Sequence, residues 1–358
     1  MRILFLGDVG VLRGAPSGGA WPPPISGDAS TRIVLNWELP IGEVSTRYKP
    51  MQLAAATGAV QAIAGWSGVV ASLTNNHALD AGADGLLATA SALREAGAEV
   101  FGFLQRDNAA SRAWSWERPE GRLCVLPWTT AETSPIPGSL QGSGPILWPG
   151  LEAASQEVKR AKVGHEWVVA YIHWDIELFH SPSPQARLAA RGLAAAGADL
   201  IIGHHPHVVR GRESMGGADV FYSLGNYYFD NLPADPRGIA RHQVARCRES
   251  IGVLATFQRG QAPVIEVVSF FQERGLPPRR DPRQRGVKRM RRASAVFAGQ
   301  SDAAYASWYG SALVRFQKYE YRFCFRLLSL SGAAWLRLIR WRLARLLRRP
   351  AGAGRGGR

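Results

Sequence analysis

Cysteine is scarce in this chain. The 358 residues hold three, Cys124, Cys247 and Cys324, far apart and with no CxxC pair. That count excludes a disulfide framework and a cysteine metal site, and it fits a reducing compartment. Long apolar runs are missing as well. No stretch of about 18 uncharged apolar residues occurs, so no spanning helix is expected. The opening MRILFLGD enters a motif at once, without the apolar region and small-residue cleavage site of a signal peptide. A cytoplasmic location, peripheral on the inner membrane at most, is therefore expected. Acidic residues nearly vanish from the last quarter. Residues 274–358 hold 3 Asp/Glu against 21 Lys/Arg, a net of +18, whereas residues 1–273 hold 25 against 22, a net of −3. The formal charge of +15 thus belongs to the tail, and an anionic partner is expected there and not on the body. No internal repeat is present.

What remains is a composition that folds. At 46% hydrophobic and 20% charged residues, the chain can bury a sizeable core and is not a disordered one. Residues 1–273 alternate short apolar runs with Ala-rich helical stretches. Strands are expected at Ile3–Leu6, Arg32–Leu35, Val69–Leu73, Leu123–Leu126, Trp167–Ile172, Asp199–Ile202, Val220–Ser223 and Ile251–Phe257. Helical patterns lie at about 50–66, 84–97, 151–162 and 185–197, with Gly97 and Gly197 placed as C-terminal caps. Strands rich in Val, Ile and Leu, separated by helices, indicate an α/β domain with a buried sheet. Segment 130–150 reads as a surface loop. Segment 274–301, rich in Arg, Pro and Gly, reads as a linker. Residues 302–349 read as a basic amphipathic helical region, and 350–358 as a disordered tail.

Polar residues of metal-ligand type punctuate the strand ends. ILFL runs into Gly7-Asp8, IVLN into Trp37-Glu38, and VVASLT into Asn75-Asn76-His77 with Asp80 one turn later. WVVAYI ends in His173, DLII in Gly203-His204-His205-Pro206-His207, and VFYSL in Gly225-Asn226. Strand C-termini of an α/β sheet converge on one edge, where ligands bind. A carboxylate, carboxamide and imidazole set suits one or two divalent ions, with the nitrogen donors favouring Mn, Zn or Fe over Ca or Mg. Taken singly, each residue has an ordinary alternative: Asp8 a cap, Asn75-Asn76-His77 a polar turn, His173 a core imidazole, Glu38 a surface group. Three imidazoles in four residues after a Val/Ile-type strand are harder to explain without a ligand role.

With these residues in view, the sequence resembles the bacterial capsule synthesis protein CapA family, the poly-γ-glutamate synthesis (PgsA-type) proteins of the calcineurin-like metallophosphoesterase superfamily. The matching stretches are GDVGVLRG (7–14), NWELPI (36–41), LTNNHALDAG (73–82), YIHWDIEL (171–178), GADLIIGHHPHVVRG (197–211) and FYSLGNYYFD (221–230). The resemblance implies a metallophosphoesterase-like β-sandwich flanked by helices (α-β-β-α), here with a helical basic C-terminal extension. It makes Asp8 a ligand of the first metal, joined by His207, and Glu38 the bridging carboxylate. Asn76, His173 and His205 become ligands of the second metal. His77 stands where the superfamily keeps its general acid, and Asp80 could orient it. Arg13, Asn36, Trp174 and Asn226 fall at positions that could contact an anionic small-molecule or polymer substrate. For Trp37 and Trp174, a stacking wall competes with plain core packing.

The chain also departs from the pattern. Gly10 stands where the superfamily usually has a histidine ligand, leaving the first metal short of donors. The bridging residue is Glu instead of Asp. Asp175 replaces a glycine after His173-Trp174 and brings a carboxylate near the centre. The function implied is metal-dependent hydrolysis of a phosphoester or related bond in capsule or exopolymer biosynthesis. The alternatives are a non-catalytic accessory of a membrane-associated polymer-synthesis complex and, more remotely, amide chemistry on poly-γ-glutamate. Residues 333–349 place Leu336, Ile339, Leu343, Leu346 and Leu347 on one face and arginines on the other. Such a helix suits an anionic membrane surface better than nucleic acid, with packing onto the domain as the plain alternative.

Overall fold

A computed structural model of the chain describes residues 1–12, 20–25, 30–44, 52–104, 112–130, 143–230 and 245–326, with side chains in the last helix through residue 318. Arg13 and the 333–349 segment lie outside the described residues.

Two sheets face each other. The larger has the order β16-β15-β14-β1-β2-β3-β4, with β13 also pairing with β1. Its strands are β1 (Arg2–Gly10), β2 (Thr31–Trp37), β3 (Val69–Ser72), β4 (Glu99–Phe101), β13 (Asn226–Phe229), β14 (Glu249–Thr256), β15 (Val264–Phe271) and β16 (Arg279–Arg280). The smaller has the order β11-β12-β10-β9-β7-β6. It is built from β6 (Trp114–Arg118), β7 (Gly121–Thr129), β9 (Trp167–His173), β10 (Leu200–His204), β11 (Arg212–Met215) and β12 (Ala218–Phe221). A two-residue pair, β5 (Phe103–Leu104) and β8 (Gly144–Pro145), stands apart.

The period-two geometry of a strand explains why the apolar runs are continuous. In β1, Ile3 and Phe5 point into the core between the sheets, while Leu4 and Leu6 point into the core on the outer face. In β9, Val169 and Tyr171 face inward and Val168, Ala170 and Ile172 face the helices. Each central strand is thus coated on both sides. Helix α1 (Gly82–Glu95) and a 3₁₀ turn at Thr57–Ile63 cover the larger sheet. Helices α2 (Leu151–Gly164), α3 (Pro184–Ala195) and α5 (Asp302–Arg326) cover the smaller one. The result is the expected α-β-β-α sandwich.

All eight expected strands are present, and α1, α2 and α3 occupy three of the four expected helical stretches. Gly97 and Gly197 take positive φ after α1 and α3, as C-terminal caps do. The stretch at 50–66 instead yields only the 3₁₀ turn among its described residues. Segment 274–301, read as a linker, is built into the fold. It supplies β16 and helix α4 (Arg285–Ala295), whose Val287 and Met290 complete the core between the sheets. The Arg/Pro/Gly composition hid an apolar stripe of Val287, Met290 and Ala293 at helical spacing.

The parallel pairings β1–β2–β3 and β7–β9–β10–β12 bring several strand C-termini to one end of the sandwich. Register shifts at Asp8, against both β2 and β13, interrupt the ladder where β1 delivers its carboxylate. Bulges of this kind re-aim a side chain beside a site. Gly7 makes the manoeuvre possible, because a Cβ there would collide with the Gly225 carbonyl.

Candidate metal centre

Asp8 lies fully buried at the end of β1. Its Oδ1 accepts from Asn36 Nδ2 of β2 at 2.8 Å and sits 3.0 Å from His204 Nδ1 of β10. Its Oδ2 accepts from the His205 backbone N–H at 3.2 Å. Burial pushes this carboxyl up, but the hydrogen bond from His204 and the neighbouring His207 imidazole outweigh it. They hold the group well below the usual carboxylate range. Asp8 therefore stays ionised.

Around it two donor clusters form. In the first, single ligand atoms of Asp8, Glu38 and His207 all lie within 4.8 Å of one another. His207 Nδ1 meets Asn226 Oδ1 at 2.8 Å, which turns Nε2 toward Glu38 Oε1 at 3.4 Å. In the second, His173 Nε2 lies 2.9 Å from Asn76 Oδ1 and 3.0 Å from His205 Nδ1. Burial pushes the His173 imidazole well below its ordinary range, so it is neutral and keeps a lone pair for a cation. The clusters adjoin through the histidine loop, with the His205 and His207 rings 5.8 Å apart.

That loop is shaped at a cost. His205 and His207 both adopt left-handed backbone, with φ of 91° and 58°. Such conformations cost a non-glycine residue on the order of 1–3 kcal/mol and persist where surrounding structure enforces them. Here the gain is that two imidazoles two residues apart aim at adjoining clusters.

His77 Nδ1 lies 2.6 Å from Asp80 Oδ2, which also accepts from the Leu53 N–H at 2.7 Å. The far nitrogen of His77 stands 3.9 Å from Glu38 Oε1, at the edge of the first cluster. This is the geometry of an imidazole whose tautomer and direction are set by a buried carboxylate.

The six expected ligands and the His77–Asp80 pair are thus brought together. Arg13 lies outside the described residues. Four other expectations change. Asn36, expected to touch substrate, is fully buried and occupied, giving its N–H to Asp8 and accepting from Asn75 at 3.2 Å. Asn226, likewise expected at the substrate, is buried beneath His207 and orients it. Trp174 packs in the core, stacked on Tyr222 and donating to the Tyr222 carbonyl. Asp175 does not face the centre. Its Oδ2 takes Arg210 Nη1 and the Ser183 N–H, both at 2.6 Å, and its Oδ1 takes the Ile176 N–H at 2.9 Å.

The structure adds two residues. His204 anchors Asp8 from the opposite sheet, and Asn75 ties the 73–82 segment to β2 through Asn36 and the Trp37 carbonyl. Both stand inside the motifs, but which member of Asn75-Asn76 or His204-His205 faces the centre depends on strand register. Gly10 also finds its reason. A Cβ at this position would come within 2.6–2.8 Å of the Phe229 ring, which packs edge-on against His207 at 5.1 Å. The volume of the absent histidine is filled by phenylalanine.

A family model described as "Bacterial capsule synthesis protein PGA_cap" matches residues 27–231, more than half of the chain and all of these residues except Asp8, Gly10 and Arg13. The chain belongs to this family. Among similar proteins, it is 32% identical over 188 residues to the capsule biosynthesis protein CapA of Bacillus anthracis, covering 51% of this chain and 45% of that one. It is 32% identical over 163 residues to the PGA biosynthesis protein CapA of Bacillus subtilis, covering 44% and 41%. The matches thus span less than half the length of either relative. A solved structure described as a novel phosphatase from Mycoplasma pneumoniae is similar at 14% identity and a TM-score of 0.44, covering 80% of this chain and 96% of that one.

The donor set fits a divalent cation. It combines ionised carboxylate, carboxamide oxygen and neutral imidazole, all donors that such a cation accepts. Asp8, Glu38 and His207 would hold one ion, and Asn76, His173 and His205 a second.

Proposed function

We propose that this PGA_cap protein is a metal-dependent hydrolase of a phosphoester or related bond, acting in capsule or exopolymer biosynthesis. The observation that carries the reading is the convergence of two three-donor clusters, with His77 at their edge. A bound divalent cation supplies Lewis acidity toward an anionic substrate. Asn36 and His204 keep Asp8 ionised and aimed, and Asn226 keeps the His207 Nε2 turned inward. Asp80 holds the His77 ring with Nε2 toward the first cluster; as a water oxygen bonds to the scissile centre, His77 gives its Nε2 proton to the departing oxygen. The substrate is an anionic small molecule or polymer, and the cytoplasmic face of the inner membrane is the proposed location.

Metal analysis of the purified chain, with phosphomonoesterase and phosphodiesterase assays in Mn, Zn or Fe, tests this. Bound metal and activity lost together in His205→Ala support it; no metal and no activity in the parent chain refute it.

One observation favours a second reading, a non-catalytic accessory role. Phe229 closes the space of a fourth donor to the first cluster. A Mycobacterium tuberculosis relative, 27% identical over 187 residues, is named for an accessory role in polyglutamine synthesis. On that reading, cells carrying Asp8→Ala or His77→Ala still make polymer; on the hydrolase reading they do not.

A further inference from the structure

We infer that the surface formed by β16 and α4 is a docking platform for an anionic lipid bilayer. Residues 274–295 carry nine Lys/Arg against one acid, Asp281. Three of the cations are engaged: Arg279 with Glu273, Arg285 with Asp281 at 3.7 Å, and Arg289 with Glu249 at 2.5 Å. The other six, Arg274, Arg280, Arg283, Lys288, Arg291 and Arg292, are exposed and make no ion pair among the described residues. Like charges gathered this closely repel one another, and an anionic partner relieves that repulsion.

The platform is fixed in place. The apolar side of α4, Val287, Met290 and Ala293, is buried, and Gly286 lies directly on the Ser250 carbonyl, where a Cβ would clash. The cationic side therefore cannot roll inward.

Two further features select a membrane over other polyanions. Leu276 sits on a tight turn closed by its N–H to the Glu273 carbonyl, and is 51% exposed between Arg274 and Arg279. An apolar side chain on an exposed turn, with Arg274 and Arg279 to either side in sequence, matches the lipid interface, where the chain enters the acyl boundary and the cations meet headgroups. Single-stranded nucleic acid would instead call for an open aromatic face to stack bases; duplex DNA, bound through phosphates alone, is separated from lipid by Leu276 in the test below. Phe271, the aromatic at this surface, is already flanked by the guanidiniums of Arg248 and Arg285, 5.3 and 3.9 Å from its ring centre. Beside it lies a cavity of about 490 Å³ lined by Arg279, Arg280, Arg283 and Arg285, with Glu273 and Asp281, open to a headgroup phosphate.

The inference does not depend on the hydrolase reading. The test is co-sedimentation of the full chain with vesicles of phosphatidylcholine, alone or mixed with phosphatidylglycerol. Binding is expected only to the mixed vesicles and should weaken as salt rises. The variant Arg280→Glu/Arg283→Glu/Arg291→Glu/Arg292→Glu should lose about tenfold or more in partitioning while melting at the parent temperature. Leu276→Ser should weaken vesicle binding severalfold and leave binding to duplex DNA unchanged. Parent-like vesicle binding by the fourfold variant overturns the proposal, because the basic segment 333–349 is intact in it. Tighter binding to duplex DNA than to mixed vesicles, unaffected by Leu276→Ser, also overturns it.

Discussion

Gly10 and Phe229 are best understood as one choice, a ring placed where a side chain on residue 10 would otherwise project. Gly10→His alone should therefore lower thermal stability without raising metal content. Gly10→His combined with Phe229→Ala should recover stability and bind more metal per chain, read by elemental analysis. His77 belongs to a different class, since it contacts the centre without being one of its six donors. His77→Ala is expected to lower kcat by about 10²–10⁴ at unchanged metal content. His180, away from the donors, tests the electrostatics. Burial first, then Arg289, Arg246 and Arg210, lower its imidazole to about 4. The unfolded chain takes up that proton near pH 6.5 and the folded one does not. Its contribution is complete above about pH 6.5 and is lost as pH falls toward 4. Urea unfolding of His180→Gln should show a shallower decline of stability across that window.

At the scale of elements, the loop after β9 is held by a buried charge pair. Arg210 is fully buried and donates to Asp175 and to the carbonyls of Phe179 and Ile176. Removing one partner leaves the other charge uncompensated, so Arg210→Met should cost about 3–5 kcal/mol in a denaturant titration. This pair also marks a limit of sequence reading. Asp175 follows His173 and Trp174, so proximity along the chain suggested a place at the centre. Backbone with φ of 75° at Asp175 turns it toward Arg210, 35 residues away. The strands themselves were legible, because apolar runs coated on two faces have few other uses. The short strands β4, β5, β6, β8, β11, β13 and β16 were not, because two to five residues carry too little periodicity to stand out, and the eight-residue β15, its first half exposed or half-buried, was missed as well. Helix α4 was hidden by composition, its three-residue apolar stripe lying among eleven residues rich in arginine.

Across the whole molecule, the convergence of these polar residues could be read without the structure because strand ends of a parallel sheet share an edge. The supporting contacts could not. Asn36, Asn226 and His204 are polar residues at strand ends too, and only the pairing of strands separates donor from support. Metal loading should be visible globally. A cation that binds only the folded chain, at a hundredfold its Kd, adds about 2.7 kcal/mol. Melting temperature should rise on adding Mn or Zn, fall with chelator, and respond little in His173→Ala. Asp8 gives this linkage a mechanical side. Its carboxylate is gripped from β2 in one sheet and from His204 and His205 at the end of β10 in the other. It acts as a rivet between two plates: any sliding of one sheet over the other would pull the two proposed donor clusters apart, so a change that loosens the sandwich should also weaken metal-dependent stabilisation.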